Sequence, residues 1–208
     1  MRKKLIPKLS LISITICTVL GANSFALAAA KYENYSWVSP NNWEGAVFDV
    51  PTWFAKDMQY SGREVIRFHD GFYDAQSTGY WTYAFTLLIE QTNMPSIKDL
   101  KEETKRYFVG LVRDLGKHNI SNYLADNIVV TKMSDWITTK NNQKRSQIFL
   151  LKSYDSFTTG KPINLNVKIT TWLCSNQHRA IHYAISPHEI GHPIWAELNM
   201  EIDALKCW

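Results

Sequence analysis

The stretch that decides the fold is Trp81-Thr82-Tyr83-Ala84-Phe85-Thr86-Leu87-Leu88-Ile89, followed shortly by Ser96-Ile97-Lys98-Asp99-Leu100. In the first run Trp81, Tyr83, Phe85, Leu87 and Ile89 take every second position, with Thr82 and Thr86 between them. Period two in β-formers predicts a strand with one strongly buried face. In the second run the period changes. Ile97, Leu100, Thr104, Phe108, Leu111 and Leu115 are spaced by three and four, which places them on one face of a helix. Ser96 stands where a cap is needed, with Asp99 three residues on as a variant of the capping box. Asp99, Glu102 and Glu103 suit the positive N-terminal end, and Gly116 reads as the stop.

Upstream, Ala46–Val50 reads as a short strand stopped by Pro51, and Glu64–Phe68 as a second, with His69-Asp70-Gly71 as a turn after it. Residues 31–45 are polar and aromatic, and Pro40-Asn41-Asn42 marks a loop. Downstream, Ile128–Met133, Gln147–Tyr154, Ile163–Leu173 and Arg179–Ile185 read as strands, with turns at Asn141-Asn142, Thr159-Gly160 and Ser175-Asn176. A closing helix is expected over Ile194–Leu205. Short connections make consecutive strands antiparallel. The expected class is α+β: an antiparallel sheet of about six strands with one central and one C-terminal helix packed on it. The expected organisation is a leader over 1–28, an irregular segment over 29–45 and one α+β domain over 46–208.

The leader is read from its three-part plan. Arg2, Lys3, Lys4 and Lys8 form a basic start, an apolar run extends from Leu9 to Leu20, and Ala26-Leu27-Ala28 offers small residues to a signal peptidase. Ser10, Ser13, Thr15 and Thr18 interrupt the run, which argues against a membrane span. The chain carries 23 basic and 19 acidic residues, a formal net charge of +4. The four basic residues of the leader account for that excess, so the remainder is neutral. Nucleic acid is not an expected partner, because neutralising phosphates needs a basic patch, and Lys105-Arg106 and Lys144-Arg145 read as solvated pairs. With Cys17 in the leader, Cys174 and Cys207 remain, and an even count in an exported chain reads as a disulfide. The expected location is the periplasm or the medium.

Three phrases resemble a group of exported, uncharacterised proteins of Gram-negative bacteria. They are Trp81-Thr82-Tyr83-Ala84-Phe85, then Tyr107-Phe108-Val109-Gly110-Leu111 on the helix, and the ending from Ile185-Ser186-Pro187 through Trp195 to Cys207. The resemblance implies export and a shared fold, and assigns no residue a role. In element order the layout is also similar to the Mog1/PsbP-like α/β/α sandwich; fold does not fix function.

One motif has the form of a catalytic signature. His188-Glu189-Ile190-Gly191-His192 matches H-E-x-x-H, in which two histidines on one helix face bind zinc and the glutamate activates water. Pro187 and Pro193 flank it, and proline at 193 opposes a helix running through it. The longer pattern would need Gly and His where Trp195 and Leu198 stand. The segment is therefore expected to be a loop; zinc-dependent hydrolysis by Glu189 with His188 and His192 as ligands is the alternative. His178 and His182 lie close in sequence, and on a strand they would face one side. The remaining signal is aromatic. Exposed tryptophans in exported proteins stack on ligands, and Trp172, Trp43 and Trp53 are the candidates, with Trp37 beside them. The reading is a binding or accessory domain without a cofactor, recognising a peptide, an envelope component or a small molecule.

Overall fold

A computed structural model describes residues 35–114, 125–138, 144–174 and 178–207. All lie in one compact unit, 34–208. The leader expected over 1–28 with Cys17, Leu115, the expected stop at Gly116, and the turns assigned to Asn141-Asn142 and Ser175-Asn176 fall outside the described residues.

In chain order the elements are β1 Tyr35–Trp37, β2 Glu44–Val50, β3 Gly62–Phe68, β4 Tyr83–Ile89, α1 Ile97–Asp114, β5 Val129–Lys132, β6 Ile137–Thr138, β7 Arg145–Asp155, β8 Lys161–Leu173, β9 Arg179–Ser186, α2 Ile194–Ala204 and β10 Leu205–Cys207. Among the described residues the main sheet has eight strands in the order β2-β3-β4-β9-β8-β7-β5, with β6 also on β7, and every pair is antiparallel. The α+β class expected from the sequence is the class observed.

The strand count corrects the expected six. β6 has two exposed residues, and a segment that short carries no period. Within the described residues 35–45, the irregular reading of 29–45 is also corrected at both ends. Tyr35–Trp37 is a strand paired with Leu205–Cys207, and β2 opens at Glu44. A three-residue strand is specified by its partner, and here the partner lies at the far end of the chain. The same pairing ends the closing helix at Ala204, because Leu205 is already extended.

The helix start follows its capping signal closely. Ser96 N donates to Asp99 Oδ2 at 2.9 Å, and Asp99 N donates to Ser96 Oγ at 3.1 Å, a reciprocal box. Hydrogen bonds from Ser96 hold the Asp99 carboxyl below the usual carboxylate range.

The sheet is covered on both faces. One carries Ile66, Phe85, Leu87, Tyr183 and Ile185 against Leu100, Phe108 and Val112 of α1. The other carries Val65, Ala84, Leu88, Ala180 and Ala184 against Ile194, Leu198 and Ile202 of α2. β4 and β9 are therefore buried along their whole length, and alternation decides which layer each residue joins. Trp81 departs from the pattern. It is fully buried, but its φ of 50° places it in the left-handed region before the strand begins.

Two devices fasten the C-terminal segment to the rest of the fold. Cys174 and Cys207 are disulfide-bonded with Cα atoms 5.2 Å apart. Glu201 of α2 is buried and accepts from Trp37 Nε1 at 3.0 Å, Ser39 Oγ at 2.6 Å and Asn41 Nδ2 at 3.0 Å. No helix among the described residues is long and apolar enough to cross a membrane.

Candidate functional site

A cavity of about 260 Å³ opens on the α1 face, at the end of the sheet where β3 finishes and β4 begins. The sheet supplies Phe48, Ile66, Phe68 and Tyr83, and the helix supplies Tyr107 and Leu111. Connecting segments close the sides with Trp53, Phe54, Phe72, Tyr73, Trp81 and Phe157. Trp53 and Tyr73 are exposed at 56% and 59%, so they form the rim, while Trp81 and Tyr83 are buried.

Each wall is held by a specific contact. The Trp53-Phe54 segment sits directly on α1 because residue 110 is glycine; a Cβ there would lie 2.1 Å from the Phe54 carbonyl oxygen. Glu103, buried on α1, accepts from Gln59 N at 2.9 Å and pairs with Arg106, which anchors the chain running from that segment into β3. The Trp81 wall is held by Asp155 at the end of β7. Asp155 accepts from Trp81 Nε1 at 2.8 Å, from Tyr80 Oη, and from the backbone N–H groups of Phe157 at 3.1 Å and Thr158 at 3.0 Å. Burial alone would raise this carboxyl; the hydrogen bonds, led by Thr159 and Tyr80, outweigh it and hold it well below the usual range. A left-handed tryptophan held by a buried carboxylate is a strained element kept in place by its surroundings, a pattern that clusters at ligand sites.

The polar groups near this cavity are few. Tyr107 Oη donates to Glu64 Oε1 at 2.7 Å, and the second oxygen of Glu64 has no partner among the described residues. Burial pushes the Glu64 carboxyl up to about 7, against the opposing pull of the Tyr107 hydrogen bond. Tyr83 lines the cavity, and its buried hydroxyl likewise has no partner among the described residues. Burial, then the Glu64 charge, raises the Tyr83 phenol well above its ordinary value. A buried polar atom left unsatisfied is uncommon and calls for an explanation such as a bound group.

The tryptophans singled out from the sequence do not share one site. Trp53 is on the rim of this cavity. Trp43 is a correction: it is 5% exposed, belongs to the α2-side core, and its ring meets His69 edge-on at 5.4 Å. The Glu201 network draws the segment carrying it onto that core. Trp172 is 9% exposed, with Lys144 Nζ 4.9 Å above its ring, at the other end of the sheet.

The histidines do not converge either. His188–His192 is a loop between β9 and α2, turned at Gly191 with φ 111°, and the helix begins only after Pro193. The His188 and His192 rings stack at 4.0 Å. His188 Nε2 donates to the Thr78 carbonyl at 2.9 Å, and His192 Nδ1 accepts from Ile194 N at 3.3 Å. The zinc-hydrolase alternative needs both imidazoles projecting from one helix face with a third ligand; the loop does not provide that face. Glu189 lies exposed in the same loop. Among the described residues no three His, Cys, Asp or Glu side chains are grouped to hold a metal ion. His178 precedes β9, and His182 is buried within it, with Nδ1 2.8 Å from Thr86 Oγ1. Burial, with smaller contributions from Lys144 and Lys168, lowers the His182 imidazole to about 3.

No protein-family model matches the chain. No curated protein matches it in sequence. Among solved structures it is similar to cyanobacterial PsbP (CyanoP) from Synechocystis sp. PCC 6803, at 8% identity and a TM-score of 0.44 over 85% of this chain and 88% of that one. The site above is read from this chain alone.

Reading the sequence for tryptophans alone missed Glu64, Tyr83 and Tyr107. A signal for Glu64 was present: Glu64, Ile66 and Phe68 alternate, so a lone carboxylate shares an apolar strand face. The density of aromatics from Phe68 to Phe85 was a second.

Proposed function

We propose that this chain is an exported, non-enzymatic binding domain that takes a small apolar or aromatic molecule into the cavity between α1 and the sheet. The observation that carries the reading is an aromatic-walled space with an exposed tryptophan at its rim and, among its lining residues, the Tyr83 hydroxyl, which has no partner among the described residues. Ligand sites are concave, mostly apolar and supplied with a few polar groups that orient the guest. A volume near 260 Å³ lies just below the range of about 300–1,000 Å³ that suits drug-sized molecules, so the guest is small. It carries one hydrogen-bonding group, which meets the Tyr83 hydroxyl. Export is supported by the leader read in residues 1–28 and by the Cys174–Cys207 bridge, which persists in oxidising compartments. A location in the periplasm or the medium, and kinship with the exported Gram-negative proteins that the sequence resembles, belong to this proposal.

The test is titration of the purified protein with aminoanthracene, an apolar fluorophore with one polar group. Saturable binding of one molecule per chain is expected, weakened about tenfold in Trp53→Ala by loss of the rim contact. Absence of saturable binding, or unchanged affinity in Trp53→Ala, would overturn the reading.

A further inference from the structure

At the opposite end of the β4–β9 pair, where Ile89 faces Arg179, a second and chemically different cleft opens. Its volume is about 520 Å³, and Lys144, Arg145 and Arg179 line it together with Trp172. Arg179 is 9% exposed. Its Nε donates to the Thr92 carbonyl at 3.0 Å and its Nη2 donates to the same oxygen; Nη1 lies 3.4 Å from Thr171 Oγ1 and 3.7 Å from Met94 Sδ. Every one of these partners is neutral. Among the described residues neither Arg179 nor Arg145 forms an ion pair, and the acid that reaches the cluster, Asp203, lies 3.7 Å from Lys144 and is 79% exposed.

A guanidinium taken out of water without a counter-charge is expensive, and folded proteins normally pair such groups. Here a second guanidinium adds to the cost. Burial first, then Arg145, weakens the hold of Arg179 on its proton. The missing element is negative charge, and the cleft leaves room for it. We propose that this cleft binds a phosphomonoester dianion, with the Arg145 and Arg179 guanidiniums opposing its charge and Lys144 assisting. A dianion matches the two guanidiniums that remain once Lys144 is shared with Asp203, and the guanidinium fork fits the oxygens of a phosphate. The Trp172 ring and Leu173, half exposed, give the organic part of the ester an apolar wall. The proposal is independent of the aromatic cavity, which lies at the other end of the strands.

Two sources offer this chemistry, a soluble phosphate ester and a phosphatidic acid headgroup. The purified protein is titrated with inorganic phosphate, followed by amide and Arg Nε–H NMR shifts. In a second arm it is co-sedimented with phosphatidylcholine vesicles with and without phosphatidic acid. The expected result is saturable phosphate binding, shifting the Arg179 Nε–H signal and weakened at least tenfold in Arg145→Ala. Arg145 is exposed, so its removal leaves the core intact. Lys161→Ala, at the other end of β8, is expected to bind as the parent does. Arg145-dependent binding to phosphatidic acid vesicles with weak free phosphate binding supports the same site and names a lipid headgroup as its source; the converse names a soluble ester. Absence of binding in both arms, or equal affinities for the parent and Arg145→Ala, overturns the proposal.

Discussion

On the α1 side of the sheet β4 and β9 present Phe85, Leu87, Tyr183 and Ile185; on the α2 side the same two strands present Ala84, Thr86, His182 and Ala184. The α1 layer is assembled from large rings. Phe85 stacks on Tyr183 at 4.3 Å and on Tyr107 at 4.7 Å, and Phe68 stacks on Tyr83 at 5.8 Å. Flat rings leave a gap where the strands end, and that gap is the cavity. The α2 layer sets small strand residues, Ala84, Ala180 and Ala184, beneath tryptophans brought by other segments, Trp37, Trp43 and Trp195, and it carries in addition a disulfide, a β-ribbon and the buried Glu201 network. A sheet can thus keep one face open to a guest when the other is filled over its small strand residues and fastened by a covalent bridge and a buried hydrogen-bond network.

The largest effect is expected from breaking the fastened face. Glu201→Ala strands three donors from Trp37, Ser39 and Asn41, and a loss of roughly 3–5 kcal/mol in urea unfolding is expected. A loss under about 1 kcal/mol would mean that the network is not what holds that layer. Opening the bridge with Cys174→Ser and Cys207→Ser, a separation of 33 residues, should cost about 3–4 kcal/mol by loop entropy. Probe binding at the α1 cavity should survive this change under conditions where the protein stays folded; its loss would show that the two faces are coupled.

Acid–base behaviour separates the faces by sign. The native Glu64 carboxyl titrates near 7, above its unfolded value of 4.5, so its contribution to stability is complete below pH 4.5 and is lost as pH rises through 7. The native His182 imidazole is lowered from 6.5 to about 3, so its contribution is complete above pH 6.5 and is lost as pH falls towards 3. Between pH 4.5 and 6.5 the two oppose each other. Glu64→Gln should therefore give a stability curve that rises more steeply with pH than the parent's, by up to about 1.4 kcal/mol per pH unit. His182→Asn should tilt the curve the other way. Urea midpoints across pH 4 to 8 measure both, and parallel curves would refute the assignment.

Smaller effects sharpen the account of the cavity. Gly110→Ala forces α1 away from the Phe54 carbonyl, with an expected cost of about 1–3 kcal/mol and a clear fall in aminoanthracene affinity. An unchanged affinity would detach the Trp53-Phe54 segment from binding. Tyr83→Phe removes a hydroxyl that has no partner among the described residues, so stability without a guest should change by less than about 0.5 kcal/mol, in either direction. Affinity for a hydrogen-bonding guest should fall in the same variant.

Much of the fold was legible from local signals, because periodicity and capping act within a few residues. The strand over Tyr83–Ile89, the Ser96–Asp99 box and the bridge between Cys174 and Cys207 required no knowledge of partners. The site was far less legible. Trp43 and Trp53 stand ten residues apart in neighbouring irregular stretches, yet one is core and the other rim. What separates them is distant: Glu201 draws the first segment onto α2, and Gly110 lets the second rest on α1. His188 to His192 likewise satisfies a motif by composition, while Pro193 and the Thr78 carbonyl give its residues a loop's geometry.

Local spacing and composition were enough to set the class of the fold, the faces of its strands, the start of its central helix, the balanced charge of residues 31–208 and the disulfide pair. Those properties follow from spacing and composition, which no packing alters. Only the tertiary structure decided which face keeps a cavity, that Glu64 and His182 are buried on opposite sides of one sheet, and that Arg179 is buried with neutral partners. Burial and unmet charge are properties of what lies opposite a residue, and in an antiparallel sheet closed by two helices the opposite residue is most often far away in sequence.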